Sequence, residues 1–88
     1  MRHAARVDKN QEEIVSALRA VGAYVWIIGL PVDLLVGYKG HTFLVEVKNG
    51  SKKRLTALQD DFFKNWSGST LARIDGSEAA LRMIGVLK

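Results

Sequence analysis

Two β-rich segments joined by Lys39-Gly40 limit the folds that are open to this chain. The segment before the pair, Asp33–Tyr38, reads DLLVGY, and the segment after it, Thr42–Lys48, reads TFLVEVK. Two such runs with a short glycine-containing turn between them predict a tight β-hairpin. A hairpin places the end of its second strand beside the start of its first. We therefore expect Asp33 to lie next to Glu46 and Lys48, at one edge of a sheet.

The rest of the chain alternates between helical and strand patterns. Asp8 and Gln11 form a capping-box pattern before the apolar stripe of the first helix, and Thr56 and Gln59 form one before the second. The remaining predicted elements are a helix Lys9–Val21, a strand Ala23–Ile28, a helix from Thr56 to Gly68 with a Leu58–Phe62–Trp66 face, a strand Thr70–Ile74 and a helix Ser77–Ile84 capped by Ser77. A strand, a helix and a further strand in succession predict a parallel crossover. The expected fold class is α/β, with the order αβββαβα and a mixed sheet flanked by helices.

The basic excess of the chain is confined to one short segment. The 88 residues, expected to form a single domain over 1–88, contain 13 Lys and Arg against 9 Asp and Glu. Lys48, Lys52, Lys53 and Arg54 account for all of that difference and have no acid among them. A local basic patch predicts a polyanionic partner such as nucleic acid, and Lys52, Lys53 and Arg54 are the candidate DNA-phosphate contacts. The alternative is a solvated loop.

Cysteine is absent, and the polar N-terminal sequence MRHAARVDKNQEE does not resemble a signal peptide. Both features are compatible with a reducing compartment. We expect a cytoplasmic protein of a bacterial or phage-infected cell, without a membrane-spanning segment.

Charged residues interrupt the apolar pattern of the segment Thr42–Lys48. Residues two apart in a strand share a face, so Glu46 and Lys48 are expected to be neighbours on one side. They could form a salt bridge at the end of the strand. With Asp33 beside them they also match a divalent-metal site, because Mg²⁺ prefers carboxylate oxygens together with substrate phosphate. A lysine there can stabilise charge that develops on a phosphate.

These residues, in this order, resemble a known family. The segments NQEEIVSALRAVGA, PVDLLVGYKGHTFLVEVKNGS and LTALQDDF look like the compact VRR-NUC domains of the PD-(D/E)xK nuclease superfamily, over roughly Asp8–Met83. One departure is Val32, which separates the proline from the aspartate. The resemblance implies a restriction-endonuclease-like core and a Mg²⁺- or Mn²⁺-dependent phosphodiesterase that acts on DNA.

The resemblance also implies a role for each site residue. Asp33 and Glu46 would be metal-binding carboxylates, the backbone carbonyl of Val47 a further ligand, and Lys48 the catalytic lysine. Glu13 would be the first-helix acid that completes the metal shell, by way of water, and Gln59 the glutamine near the lysine.

The residues alone leave two of these roles open. Glu12 and Glu13 flank the apolar stripe of the first helix at similar angles, so periodicity does not choose between them, whereas the resemblance selects Glu13. Asn10 and Gln11 project nearer the apolar side than either acid, as groups that support the site or as caps. Gln59 is also accounted for as an ordinary capping-box residue.

The expected function is a structure-selective DNA endonuclease, similar to the Holliday-junction resolvases, which acts as a homodimer on branched DNA. The alternatives are a less selective phage nuclease that nicks duplex or flap DNA, a non-catalytic DNA-binding module, and a structural subunit of a larger assembly. The aromatic residues Trp26, Trp66, Phe62 and Phe63 are expected in the core or at a subunit interface rather than as base-stacking platforms.

Overall fold

A computed structural model describes residues 9–48 and 55–88. Along the chain it contains α1 (Lys9–Ala20), β1 (Tyr24–Ile27), β2 (Leu34–Tyr38), β3 (His41–Val47), α2 (Ala57–Asn65), β4 (Thr70–Ile74) and α3 (Ser77–Met83). The predicted order αβββαβα and the α/β class are confirmed.

The four strands form one mixed sheet in the order β1-β2-β3-β4. The pairs β1–β2 and β2–β3 are antiparallel, and β3–β4 is parallel, as the intervening helix α2 predicted. Lys39 and Gly40 both have positive φ angles, 49° and 84°, in the two-residue turn between β2 and β3. Positive φ at both central positions is typical of the hairpin turn whose twist matches the flanking strands.

The hydrophobic core lies on the face of the sheet that α1 and α3 cover. Alternate residues of β3 are buried there, beside Leu34 and Val36 of β2 and against Ile14 and Leu18 of α1. Burial of each such side chain stabilises the fold by roughly 1.5–3 kcal/mol. The core residues are Ile14, Val15, Leu18, Ala23, Val25, Leu34, Val36, Phe43, Val45, Val47, Ile74, Ala80 and Ile84.

The opposite face of the sheet, called the site face below, carries three rows of side chains. The strand register gives a first row of Tyr24, Gly37 and Thr42, a second row of Trp26, Leu35, Leu44 and Leu71, and a third row of Asp33, Glu46 and Arg73, in which Asp33 continues the β2–β3 register by one residue. Helix α2 lies on this face, because Gln59 is hydrogen-bonded to the side chain of Glu46. The charged residues of the third row are thus kept out of the core.

The predicted apolar face of α2 does not pack as expected. None of the residues of α2 is buried, and Leu58 is 84% exposed. Phe62 and Trp66 contact each other, with ring centroids 5.2 Å apart, but neither belongs to the core. Trp26 and Phe63 are also outside the core, so for these four aromatic residues the core part of the expectation was wrong.

Several element ends differ from the predicted ones. Helix α2 ends at Asn65 rather than Gly68, because Trp66 already has extended backbone angles. Ser77 is the first residue of α3 rather than its cap; the cap position is Gly76, and the Ser77 hydroxyl donates to the Glu13 carbonyl. The capping box of Thr56 and Gln59 is confirmed. The predicted cap Asp8 lies outside the described residues.

The other ends differ by a residue or two. Helix α1 ends at Ala20, followed by Gly22 with a φ of 95°. Strand β1 is shorter than predicted at both ends, Asp33 lies just before β2, and β3 runs from His41 to Val47. None of the helices in the described ranges is long and apolar enough to cross a bilayer.

Candidate active site

Asp33 is held against the end of β3 by a backbone hydrogen bond. The Val47 amide donates to Asp33 Oδ2 at 2.8 Å. The β2–β3 register pairs Leu34 with Val45, and one residue further it places Asp33 opposite Glu46. The hairpin therefore brings the aspartate and the glutamate together, as the sequence predicted.

Glu46 lies in the middle of the site face with its two carboxylate oxygens in different environments. Oε2 accepts a hydrogen bond from Gln59 Nε2 at 3.2 Å. Oε1 is buried and has no hydrogen-bond partner among the described residues. A buried polar atom without a partner is costly and therefore rare in folded proteins. Oε1 can therefore accept a further partner from beyond the described residues.

The electrostatics of Glu46 point the same way. Burial, and next to it the negative charge of Asp33, raise the pKa of Glu46 above its ordinary value. The hydrogen bond from Gln59, the nearby backbone amide of Asp33 and the charge of Arg73 oppose that rise without cancelling it. A carboxylate whose charged form is disfavoured by burial and by a neighbouring carboxylate is stabilised by a nearby cation.

The donors at this point fit Mg²⁺ or Mn²⁺. Both ions prefer oxygen ligands, and Asp33 and Glu46 supply carboxylates. The N–H and C=O of a strand residue point to the same side, so the Val47 amide that donates to Asp33 directs the Val47 carbonyl toward that side as well. Within residues 9–48 and 55–88, no three His, Asp or Glu side chains converge into a larger cluster.

Gln59 connects three segments around the site. Its Nε2 lies 3.2 Å from Glu46 Oε2 and 3.3 Å from the Pro31 carbonyl. Its Oε1 accepts from the Thr56 amide at 3.2 Å in the capping box of α2. The two interpretations that the sequence left open are therefore compatible: Gln59 is a cap residue and also contacts the candidate metal ligand.

Lys48 directly follows β3 and is held at both backbone groups. Its amide donates to the Ile74 carbonyl at 2.7 Å, and its carbonyl accepts from Asn10 Nδ2 at 3.0 Å. The alternation of β3 continues through this residue, which places Lys48 on the same side as Glu46. Lys48 forms no ion pair or hydrogen bond with Glu46, so the salt-bridge alternative is not realised between these two described residues.

The structure adds one residue to the site, Arg73, that the sequence did not indicate, and it gives Asn10, a predicted supporting group, a specific contact. Arg73 is the β4 partner of Glu46, and its charge lowers the Glu46 pKa. Only the parallel register of β3 and β4 reveals it, because nothing in the segment TLARI marks a site. Asn10 supports Lys48 through its backbone; its position near the apolar side of α1 was the available signal.

For Glu13 and for the basic segment, the predicted roles stay predictions. Glu13 is exposed on α1, and its backbone carbonyl accepts from Ser77 at the start of α3. No contact within the described ranges joins its carboxylate to Asp33 or Glu46, and its place in a metal shell stays a prediction. Lys52, Lys53 and Arg54 lie outside the described residues.

The fold and the site can also be compared with known proteins. No family model, no curated protein and no solved structure matches this chain.

Proposed function

We propose that this chain is a Mg²⁺- or Mn²⁺-dependent DNA endonuclease that prefers branched DNA, in the manner of a Holliday-junction resolvase. The observation that carries the proposal is the meeting of Asp33 with Glu46, whose buried Oε1 has no hydrogen-bond partner among the residues that the structure describes. The resemblance of the ordered motifs to VRR-NUC nucleases supports the same activity. The restriction-endonuclease-like relationship of the fold is part of this proposal.

In this proposal Asp33, Glu46 and the Val47 carbonyl hold the ion, and Glu13 contributes through water. A bound Mg²⁺ or Mn²⁺ would act as a Lewis acid on the phosphate and lower the pKa of the attacking water. The chain's own groups fix the carboxylates beforehand: the Val47 amide orients Asp33, and the Gln59 amide orients Glu46. Ligands that are already oriented lose less conformational freedom when substrate binds.

Lys48 has the catalytic role beside these carboxylates. Its backbone is fixed by Ile74 and Asn10, and the strand alternation places its side chain on the side of Glu46. An ammonium there stabilises negative charge that builds up on the phosphate oxygens in the transition state. Lys52, Lys53 and Arg54 would contact neighbouring phosphates and add salt dependence to binding.

A homodimer and a cytoplasmic setting in a bacterial or phage-infected cell complete the proposal. A two-fold axis would present two sites to two strands of a junction. An 88-residue chain also has little surface for reading bases, which favours recognition of DNA shape over sequence.

The test is cleavage of an end-labelled four-way junction beside a linear duplex with the same arm sequences, with Mg²⁺, with Mn²⁺ and with EDTA. Paired cuts near the branch point that require the metal are expected. Equal cutting of both substrates would keep the nuclease and replace junction selectivity with the less selective phage activity. No cutting by the folded protein would instead favour the DNA-binding module or the structural subunit.

A further inference from the structure

An exposed aromatic pair lies on the same side of the sheet as the candidate site. Tyr24 and Trp26 are 65% and 57% exposed, with ring centroids 6.3 Å apart and ring planes inclined by 27°. More than half of the surface of each residue is therefore open to solvent. Both belong to the site face, in the first and second of its three rows.

We propose that Tyr24 and Trp26 stack on unpaired nucleobases of the DNA strand that enters the site. The inference rests on the proposed nuclease function and specifies the substrate: a strand with unstacked bases beside the cleaved phosphate. Exposed aromatic residues on a four-stranded sheet are a known means of binding bases in single strands.

The position of the pair relative to the carboxylates supports this occupant. Trp26 pairs with Leu35 of β2, and Asp33 lies two residues from Leu35 on the same face. One strand spacing and two residues of rise put the backbones of Trp26 and Asp33 about 8 Å apart. A base stacked on Trp26 would thus belong to a nucleotide close to a phosphate at Asp33 and Glu46.

The space around Tyr24 also suits a flat ligand. Its partner on β2 is Gly37, and nothing lies within 4 Å of the point where a β-carbon of Gly37 would be. The next residue in that row is the exposed Thr42, so the first row is open and bears hydroxyl groups. A planar base can lie over Gly37 against the Tyr24 ring, with a hydroxyl at hand for its polar edge.

Charge distribution orients the strand. Two described cations lie at the third row: Arg73 belongs to it, and Lys48 comes directly after β3. Phosphates are drawn to that end of the face, whereas the aromatic rows at the other end attract bases. This complementarity favours a nucleic-acid strand over an apolar protein segment.

The main competing occupant is a second copy of the chain, paired through the β1 edge. The edge carbonyl of Val25 already accepts a hydrogen bond from Arg19 Nη2 at 2.9 Å. A strand added along β1 would compete with that hydrogen bond, and side chains that cover an edge are a usual protection against such pairing. Arg19 therefore disfavours β1 as a dimer edge.

The experiment uses tryptophan fluorescence in EDTA, which separates binding from cleavage. The chain has two tryptophans, so Trp66→Phe leaves Trp26 as the only tryptophan, which is excited selectively at wavelengths that the tyrosines do not absorb. Titration with single-stranded oligothymidylate is expected to quench Trp26 emission. Trp26→Ala in the otherwise unchanged chain should weaken oligothymidylate binding about tenfold, because stacking of one base contributes that order of affinity. Trp26→Phe should retain most of the affinity, and Val86→Ala should retain all of it.

Perfect duplex is the matched ligand, because its bases are already stacked. Trp26→Ala is expected to leave duplex affinity unchanged, which a general loss of folding would not do.

Unchanged Trp26 emission together with unchanged oligonucleotide affinity in Trp26→Ala would overturn the proposal. Emission that shifts with protein concentration, with a dimer that Trp26→Ala dissociates, would overturn it in favour of a subunit interface. If the wild-type chain cleaves DNA but Trp26 is not quenched, only this subsite is refuted. Quenching without cleavage would refute the nuclease and keep the base platform.

Discussion

Gln59 Nε2 lies 3.2 Å from Glu46 Oε2, so the first turn of α2 is hydrogen-bonded to the last residues of β3. The opposite end of the same amide accepts from the Thr56 backbone in the capping box. One side chain therefore starts a helix and fixes a candidate metal ligand. These two contributions can be separated by substitution.

Gln59→Ala should reduce cleavage at least tenfold and also lower stability. The activity falls because Glu46 loses the donor that orients its carboxylate. A tenfold slower reaction corresponds to an activation free energy about 1.4 kcal/mol higher. The matched control is Thr56→Ala, which removes the cap hydroxyl but leaves the Gln59–Glu46 hydrogen bond. We expect Thr56→Ala to cost about 1 kcal/mol of stability, with most activity retained.

The readouts are urea denaturation for both variants and single-turnover cleavage of the junction. If Thr56→Ala loses as much activity as Gln59→Ala, Gln59 acts only through the helix start. If neither variant loses activity, Gln59 has no part in the site.

Lys48→Ala should abolish cleavage, with a fall of about two to four orders of magnitude. The fold and most DNA binding should survive, because the contacts of Lys48 with Ile74 and Asn10 are made by its backbone. Circular dichroism and junction binding in EDTA serve as controls. Lys39→Ala, an exposed lysine at the hairpin turn, is the matched substitution and should cleave normally. Full activity of Lys48→Ala would remove Lys48 from the catalytic residues.

The strand pairing around the site was predictable from sequence because the information is local. Lys39-Gly40 specifies a two-residue turn. The length of this turn sets the register between β2 and β3, and the register determines which residue of β3 faces Asp33. The alternation of β3 then separates Glu46 from the core residues Val45 and Val47. The capping box of α2 is also a local pattern of four residues, and it was found correctly.

The features that the sequence did not predict depend on contacts between segments that are distant in the chain. Arg73 faces Glu46 only through the parallel register of β3 and β4, which no turn specifies. The Leu58–Phe62–Trp66 spacing predicts a buried helix face, but burial needs a partner surface, and within the described residues Leu58 has none. Trp26 is predicted for the core or an interface because large aromatic residues usually contribute there; its place on an edge strand keeps it out of the core, and the interface part stays a prediction.

Asn10→Ala should slow cleavage while substrate affinity stays unchanged. Asn10 Nδ2 donates to the Lys48 carbonyl at 3.0 Å, and loss of that hydrogen bond allows the backbone that carries the lysine to move. We expect a several-fold lower kcat, an unchanged KM and a stability loss of about 0.5–1.5 kcal/mol. Ser16→Ala, an exposed substitution on the same helix, should change neither. An unaltered kcat in a folded Asn10→Ala protein would show that this hydrogen bond supports only the fold.

The raised pKa of Glu46 predicts how stability depends on pH. Burial and the Asp33 charge favour the protonated form in the native state, so the folded protein binds this proton more tightly than the unfolded chain does. In EDTA the free energy of unfolding should therefore decrease as pH rises through the interval between the ordinary and the raised pKa of Glu46. Glu46→Gln should remove this decrease and be at least as stable as the wild type above that interval, because it carries no charge.

Mg²⁺ should reverse the trend for the wild type, because the ion binds the deprotonated carboxylate and so stabilises the folded state as pH rises. Glu46→Gln should show no such stabilisation and no cleavage. Urea denaturation from about pH 4 to pH 8, with EDTA and with Mg²⁺, measures both effects, since this range includes the region where a raised carboxyl pKa titrates. Glu12→Gln, which changes an exposed acid on α1, is the matched control and should behave as the wild type. A wild-type profile identical to that of Glu46→Gln in EDTA would contradict the raised pKa, and equal stabilisation of both by Mg²⁺ would remove Glu46 from the metal ligands.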